Sequence, residues 1–365
     1  MRQTPDRHSL HVLITGGAGF IGTNLAAYLL ANTDSLITLY DNLSRPGVAL
    51  NLAWLKTLDD SRRLRFVCGD VRDASRLHQA ARTADEIYHF AAPSEGPELL
   101  TQPRLDFDVN VTGTANVLEA AHRSGRRPMV LFASTGKVYG ALDSIPIRHD
   151  PTRLRPADPA FRGVSETTRV DLHCPYACTR SAADKYVREY ARRYDLPAVV
   201  FRLGCIAGPG QFGNQGQGWV AHFVYSALSG RPVTIYGDGL QVRDVLHVAD
   251  LVSAVNAARA YIGVTTSKAF NIGGGLHRSI AVKEMLRLIE ETCHVPVQFT
   301  SEPARPGDQL LYISDNSRFS NQTGWIPRRT LEQTVRDIAA FWHANRGRAV
   351  PAARASGKRP FRRAA

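Results

Sequence analysis

An α/β fold is predicted for this chain, a doubly wound parallel sheet with helices on both faces followed by a smaller C-terminal α/β lobe. Three observations predict it. Short apolar runs alternate with stretches of helical period, as in a parallel sheet whose crossovers are helices. The first run, Leu10 to Thr15, opens into glycines spaced three apart and then a helix. At 365 residues the chain is also longer than one ordinary core, so a large sheet domain with an appended lobe is expected.

Taken in order, Gly16, Gly17, Ala18, Gly19, Phe20, Ile21 and Gly22 follow the first strand, and a helix is expected from about Phe20 to Leu30. Gly16 permits the tight turn, Gly19 lets the backbone approach a pyrophosphate, and Gly22 lets the helix pack close to the strand. The unpaired N–H groups and positive dipole of the helix start would face the phosphates. A second strand, Leu36 to Tyr40, ends in Asp41, where a carboxylate bonds a ribose diol and repels a 2′-phosphate. NAD is therefore favoured over NADP, while Arg45 nearby keeps the second option open.

Leu64 to Cys68 is the third strand and precedes Gly69, Asp70 and Val71, a candidate adenine contact. Glu86 to Phe90 leads to Ala91 and Ala92, and Asp106 to His122 reads as a helix. Met129 to Ala133 then runs into Ser134, Thr135, Gly136, Lys137, Val138, Tyr139 and Gly140. A hydroxyl pair just after a buried strand lies at the carboxyl edge of a parallel sheet, where ligands bind. The same pair could instead bond its own backbone in a turn.

Pro175, Tyr176, Ala177, Cys178, Thr179 and Arg180 read as the opening of a long helix. Four residues apart, Tyr176 and Arg180 rise from one face and can meet the same ligand. A phenol titrates near ~10 in water, and a fixed cation beside it favours the phenolate, so Tyr176 is a candidate general base and acid. On spacing alone, such a pair is more often a half-buried ring and a solvated charge.

Composition narrows the classes. Hydrophobic content of 44% with balanced glycine and proline describes a folded protein. Of the net charge of +12, seven positive charges fall in the segment from Arg346 to the C-terminus, which has no acid, leaving +5 for the rest. The basic excess is thus largely a tail that cannot bury a core and lacks interleaved aromatics apart from Phe361. No nucleic-acid or membrane partner is expected. The five cysteines, Cys68, Cys174, Cys178, Cys205 and Cys293, are odd in number and scattered, which argues against a disulfide scaffold. Cys174 and Cys178, with His173 beside them, lack a second pair, so no metal site is expected. Neither a signal-peptide pattern nor an apolar run of about 18 residues is present, and a cytoplasmic location is expected.

Together the glycine motif, Asp41, the Ser134 to Gly140 stretch and Tyr176 resemble the extended short-chain dehydrogenase/reductase family, the NAD-dependent nucleotide-sugar epimerases and dehydratases, from about Leu10 to Trp342. Four stretches are most similar to the branch that inverts carbon 2 of a CDP-linked sugar. They are Asp41 to Arg45 with Asn51, Leu52, Trp54 and Leu55; Ser165 to Tyr176; Gln215 to Phe223; and Gln241 to His247. The resemblance implies a Rossmann-like domain and a tightly bound, recycled NAD. It implies cofactor contacts from Gly16, Gly19, Phe20, Ile21 and Gly22, from Asp41, Asn42 and Arg45, and from Asp70, Val71, Ala91, Ala92, Tyr176 and Arg180. Thr135 would hydrogen-bond the sugar oxygen being oxidised, Tyr176 would take and return its proton, and position 180, normally lysine, would hold the nicotinamide ribose.

This chain departs from the family pattern twice. Arg180 keeps the charge but replaces a compact ammonium with a planar fork. The loop that usually faces the nicotinamide and sugar reads Pro93, Ser94, Glu95, Gly96, Pro97, Glu98, which either reshapes the pocket or is a variable surface loop.

The C-terminal part reads as the substrate lobe. Gln211 to Trp219 is a glycine- and glutamine-rich loop suited to amide hydrogen bonds, with Gln215 and Trp219 as candidate substrate contacts, and Val220 to Leu228 follows as a helix. Pro232 to Gly239 gives a strand and tight turn. By resemblance, Arg243 in Gln241 to Asp244 and Arg305 in Arg305 to Asp308 would grip the diphosphate, and Asp308 is a further candidate substrate contact. Phe270 to Gly275 reads as a strand returning to the sheet, and Val282 to Glu291 as an amphipathic helix.

The expected organisation is a 1–9 extension, a 10–205 NAD-binding domain with sheet-completing returns near 240–275, a 206–345 nucleotide-sugar lobe and a 346–365 basic disordered tail. The expected activity is inversion of a carbinol on a nucleotide-diphosphate sugar through a transient ketone. A 4-epimerase, dehydratase or decarboxylase on another nucleotide sugar is the alternative enzyme, because motifs do not encode ring position. A dinucleotide-binding protein silenced by Arg180 is the non-catalytic one. By likeness, a homodimer is expected through the helices beginning near Asp106 and Tyr176.

Overall fold

The computed structural model describes residues 9–93, 102–305 and 307–345. In chain order the first half runs β1 (His11–Thr15), α1 (Phe20–Asn32), β2 (Leu36–Asp41), α2 (Val48–Thr57), β3 (Leu64–Cys68), α3 (Ala74–Ala81) and β4 (Glu86–His89). Next comes α4, built from Pro103–Phe107, a π-helical turn at Asp108–Thr112 and Gly113–Arg123. It is followed by β5 (Met129–Thr135), the antiparallel pair β6 (Ile147–His149) and β7 (Leu154–Pro156), and α5 (Pro175–Arg193). The second half runs β8 (Ala198–Leu203), β9 (Cys205–Ala207), α6 (Trp219–Leu228), β10 (Val233–Tyr236), β11 (Val242–His247), α7 (Val248–Ala260) and β12 (Ala269–Ile272). It ends with β13 (Ser279–Ala281), α8 (Val282–Cys293), β14 (Phe299–Glu302), β15 (Leu311–Tyr312), α9 (Ser317–Thr323) and α10 (Leu331–Asn345).

Seven parallel strands form the main sheet in the order β12-β8-β5-β4-β1-β2-β3. Alternate residues of each strand point to opposite faces, and both faces are buried in the inner strands, which are therefore mostly apolar, while the edge strand β3 is partly exposed. Val12 and Ile14 join one core with Leu25 and Leu29 of α1 and Leu251 and Val255 of α7. Leu13, between them, joins the other core with Leu77 of α3, Val117 of α4 and Val187 of α5. This confirms the doubly wound sheet. A third core, under α6, α8 and α10, holds the smaller lobe together, and β12 returns from beyond the lobe's first strands to complete the sheet.

The structure corrects some expected boundaries. The helix read from Asp106 begins at Pro103 and contains the π turn. Ser134 and Thr135 lie inside β5, paired with Arg202 and Leu203 of β8, rather than after the strand. Ser94 to Glu98 of the proline-acid loop, residues 1–8 and the basic tail from Arg346 lie outside the described residues. None of the described helices is long and apolar enough to cross a membrane.

The middle of α5 is tied to the sheet by a buried ion pair. Asp184 accepts from Arg202 of β8 at 2.7 Å, and both side chains are almost fully buried. Arg202 also donates to the Tyr139 hydroxyl, which in turn donates to Asn271 of β12. Removing one partner of such a pair leaves a buried charge uncompensated. Asp184→Ala should therefore lose about 3–5 kcal/mol of unfolding free energy in urea denaturation; a loss under about 1 kcal/mol, the range of exposed pairs, would contradict this account of the pair.

Candidate active site

Strand order reverses between β1 and β4, and the crevice beyond their carboxyl ends is where an open parallel sheet accepts a ligand. A cleft of ≈ 420 Å³ lies there, running from the glycine turn to the smaller lobe. Its floor is the turn after β1. Gly16 adopts φ +69, and a Cβ there would stand 2.7 Å from the Ala91 nitrogen, so the tight turn requires glycine. A Cβ on Gly22 would lie 2.5 Å from the Gly16 carbonyl oxygen, so the close packing it permits is of the helix on the glycine turn rather than on the strand itself. The start of α1 has no side-chain cap and no acid in its first turn, and Gly19, Phe20, Ile21 and Gly22 line the cleft. An uncapped, acid-free helix start opening into a cleft fits the pyrophosphate of a dinucleotide.

Of the other expected cofactor residues, Arg45, Ala92, Tyr176 and Arg180 line the cleft. Asp41, Asn42, Asp70, Val71 and Ala91 stand outside its lining, each for a visible reason. Asp41 ends β2 as expected, but its carboxylate accepts the Ala18 and Leu43 N–H groups at 3.1 and 2.8 Å. Burial pushes its pKa up, and those N–H groups counter the shift. Asn42 donates to Asp70, whose carboxyl is lowered to about 2 chiefly by its hydrogen bond with Arg72. Val71 is packed against Gly113 of α4, and Ala91 lies under Gly16.

Tyr176 follows Pro175 in the first turn of α5, and Arg180 comes one turn later, so the helix brings both to the cleft. Arg180 is only 3% exposed. Its Nη1 donates to Asn110 Oδ1 at 3.1 Å, and its guanidinium lies 4.5 Å from the centre of the Phe132 ring. Burial lowers its pKa, while Tyr176, Asp106 and Asp184 hold it up. Arg45 has the same character: burial lowers it, and Tyr176 and Asp41 raise it. Two guanidinium groups therefore act electrostatically on Tyr176.

Thr135 lines the cleft beside them, and its hydroxyl accepts the Lys137 N–H at 3.2 Å, capping the short turn Gly136–Tyr139. The backbone-bonding role and the cleft position thus coexist, since accepting that bond leaves the hydroxyl hydrogen to donate elsewhere.

At the far end the cleft is lined by Gln215, Trp219, Arg243, Arg305 and Asp308, every substrate contact expected in the lobe. All five are already engaged within the protein. Arg243 donates to Asp308 at 2.8 Å, so Asp308 holds the arginine. Arg305 donates to the Gln215 carbonyl at 2.7 Å and lies 3.8 Å above the Tyr236 ring. Trp219 Nε1 donates to Cys205 Sγ at 3.2 Å, and burial raises that thiol to about 12.

Three groups at the site carry little or no local signal in the sequence. Tyr236 ends β10, and an aromatic directly before the Gly237 turn was its one signal. Asn110, in the π turn of α4, supports Arg180, but nothing local marks it. His89, at the end of β4, bridges Thr15 and Thr114 at 2.6 and 3.0 Å, beneath Arg180.

The family model for the NAD dependent epimerase/dehydratase family matches residues 12–273. The chain is 37% identical over 337 residues to the CDP-paratose 2-epimerase of Salmonella typhi, an alignment covering 90% of this chain and 98% of that protein. It is similar to the solved dTDP-glucose 4,6-dehydratase of Streptomyces venezuelae with NAD bound, with a TM-score of 0.78 at 28% identity over 93% of this chain and 98% of that one. The UDP-glucose 4-epimerase of Thermus thermophilus in complex with NAD superposes with a TM-score of 0.75 at 28% identity, covering 92% of this chain and 99% of that one.

The network under Arg180 has a pH signature. Burial, with the charge of Arg180 adding to it, lowers the His89 pKa to about 3. An unfolded histidine titrates near ~6.5, so between about pH 6.5 and about pH 3 the unfolded chain binds a proton that the folded one does not. Stability contributed here is complete above about pH 6.5 and falls as pH is lowered, by about 1.4 kcal/mol per unit. In urea unfolding across that window, His89→Gln should show a shallower pH slope than the wild type by that amount; parallel slopes would contradict it.

Proposed function

Because the chain belongs to the NAD-dependent epimerase/dehydratase family, we propose that it inverts carbon 2 of a CDP-linked sugar, in the manner of the CDP-paratose 2-epimerase it resembles. It is an enzyme of that family, and its cofactor is NAD. The observation that carries the reading is that one cleft gathers the glycine turn, Thr135, Tyr176 and Arg180, and the Arg243 and Arg305 end. The choice of base and ring carbon rests on the likeness to the Salmonella protein over 98% of its length.

When bound, NAD supplies the acceptor, and afterwards the donor, of the hydride at the carbinol carbon. The rest falls to this chain. The start of α1 holds the pyrophosphate through its uncapped N–H groups. Tyr176, as phenolate, takes the proton of the reacting hydroxyl and returns it, and Thr135 donates to the same oxygen. Arg180 favours the phenolate by its charge. Arg243 and Arg305 grip the diphosphate, leaving the sugar to present its other face at carbon 2 before reduction.

Arg180 also sets the pH range in which Tyr176 works. Its buried charge interacts electrostatically with the phenol, so removing it raises the pH at which the phenolate forms. We assign residues 10–205, with the returning strand β12, to the NAD-binding domain and 206–345 to the nucleotide-sugar lobe. We infer a cytoplasmic enzyme, consistent with its free cysteines. We also infer a homodimer through α4 and α5, whose Phe107 and Tyr186 rings are exposed; light scattering should give twice the chain mass, and the mass of one chain would contradict this.

The direct test is a proton NMR time course with CDP-, UDP-, GDP- and dTDP-linked sugars and no added NAD. Inversion at carbon 2 of a CDP-sugar with no net NADH is the expected result, and a dehydrated or net-oxidised product would overturn it. Tyr176→Phe should lower kcat by about 10³-fold without loss of bound NAD. Arg180→Met, which keeps bulk but not charge, should shift the rise of kcat/KM to higher pH, and an unshifted profile would remove Arg180 from the mechanism.

A further inference from the structure

The segment from Pro209 to Gly218 leaves β9 and crosses to α6, and it is stitched to the other side of the cleft at four places. Asn24 of α1 donates to the Pro209 carbonyl at 2.9 Å. Asn51 of α2, 2% exposed, donates from one amide to the Gly210 carbonyl at 3.0 Å and to the Ala18 carbonyl of the glycine turn at 3.3 Å. Gly47, at φ +84, lies so close under the Phe212 ring that a Cβ there would collide with it. The Arg45 guanidinium donates to the Gln217 side-chain oxygen.

The segment also has its own structure. Asn214 accepts the Gly216 and Gln217 N–H groups at 2.8 and 2.9 Å and donates its own N–H to the Gln217 carbonyl, forming a tight turn that presents Gln217 to Arg45. Phe212 is braced from behind by Phe341 of α10, edge-on at 6.0 Å. Gly210, Gln211, Phe212 and Gln217 line the same cleft as Gly16, Gly19 and Gly22. A dinucleotide seated on the start of α1 would thus have the glycine turn on one side and this segment on the other.

We propose that Pro209–Gly218 is a strap that retains the dinucleotide, with Asn51 tying it to the glycine turn and the Arg45–Gln217 hydrogen bond acting as its latch. The inference rests on the cofactor reading above. Its chemical sense is that an enzyme which removes a hydride and returns it to the same sugar has no need to exchange the cofactor between turnovers. Release of the reduced form in mid-cycle would strand the ketone, so a strap that slows departure protects the cycle. For the dinucleotide to leave past it, the latch must open, whereas the bonds of Asn24 and Asn51 near the strap's root can persist.

The test measures the rate at which NAD⁺ leaves the purified holoprotein, with released cofactor captured continuously by an NAD-consuming dehydrogenase. The wild-type NAD content, read in the same assay, reports separately on the cofactor reading, and no sugar turnover is required. Gln217→Ala should release NAD about tenfold faster, the expected effect of losing one charge-assisted hydrogen bond. Gln217→Glu, which places a carboxylate opposite Arg45, should release it no faster than the wild type. Asn51→Ala should also release it faster, but that residue is buried, so the Gln217 pair carries the test. Wild-type release from Gln217→Ala, or equal acceleration by the alanine and glutamate variants, would overturn the proposal.

Discussion

The burial of the Arg180 guanidinium is the constraint on which the cleft depends. A planar cation taken out of water needs donors satisfied and charge balanced. Here Asn110 accepts one hydrogen bond, the Phe132 ring supplies a face, and Asp106 and Asp184 contribute negative field. Each demand reaches a different element. Asn110 sits in the π turn of α4, Phe132 on β5 and Asp184 on α5, where it also holds Arg202 of β8. Placing the cation thereby fixes the relation of α4, α5 and the sheet, and with it the position of Tyr176.

The same cation governs its neighbours. His89 lies beneath it, held between two threonine hydroxyls, and is kept neutral by burial with Arg180 adding to the effect. Asn110 spends its amide on Asp106 and Thr179, so the network has few spare groups. One that remains is Arg180 Nε, buried and without a partner among the described residues. A lysine at this position would satisfy the charge with a smaller head but could not both reach Asn110 and cover Phe132 in the same way. The arginine is therefore part of how this chain builds its floor, rather than a neutral replacement.

How much of this was legible in the sequence depends on how local the physics is. The glycine turn could be read because Gly16 and Gly22 act through backbone geometry within a few residues. The Tyr176 and Arg180 pair could be read because helical spacing puts them on one face. Arg243 and Arg305 stood out only through family likeness, and nothing nearby indicated that Asp308, far along the chain, would hold Arg243. Asp41 was recognised by its place after β2, yet its commitment to the Ala18 N–H depends on how the turn folds back. Asn110 and His89 were illegible for the same reason: their partners come from segments that only the folded sheet brings together. The hydroxyl pair at the end of β5 shows the intermediate case, where a turn-capping role and a cleft role, read as alternatives, prove compatible in Thr135.

In the mechanism proposed, the carbinol is inverted by removing a hydride and returning it to the same carbon, with Tyr176 moving only the hydroxyl proton. The most direct test follows CDP-paratose carrying deuterium at carbon 2 through epimerisation in ordinary water. With hydride return, the inverted product keeps its deuterium at carbon 2. Loss of the label to solvent would mean that the carbon–hydrogen bond is broken as a proton, and would contradict it.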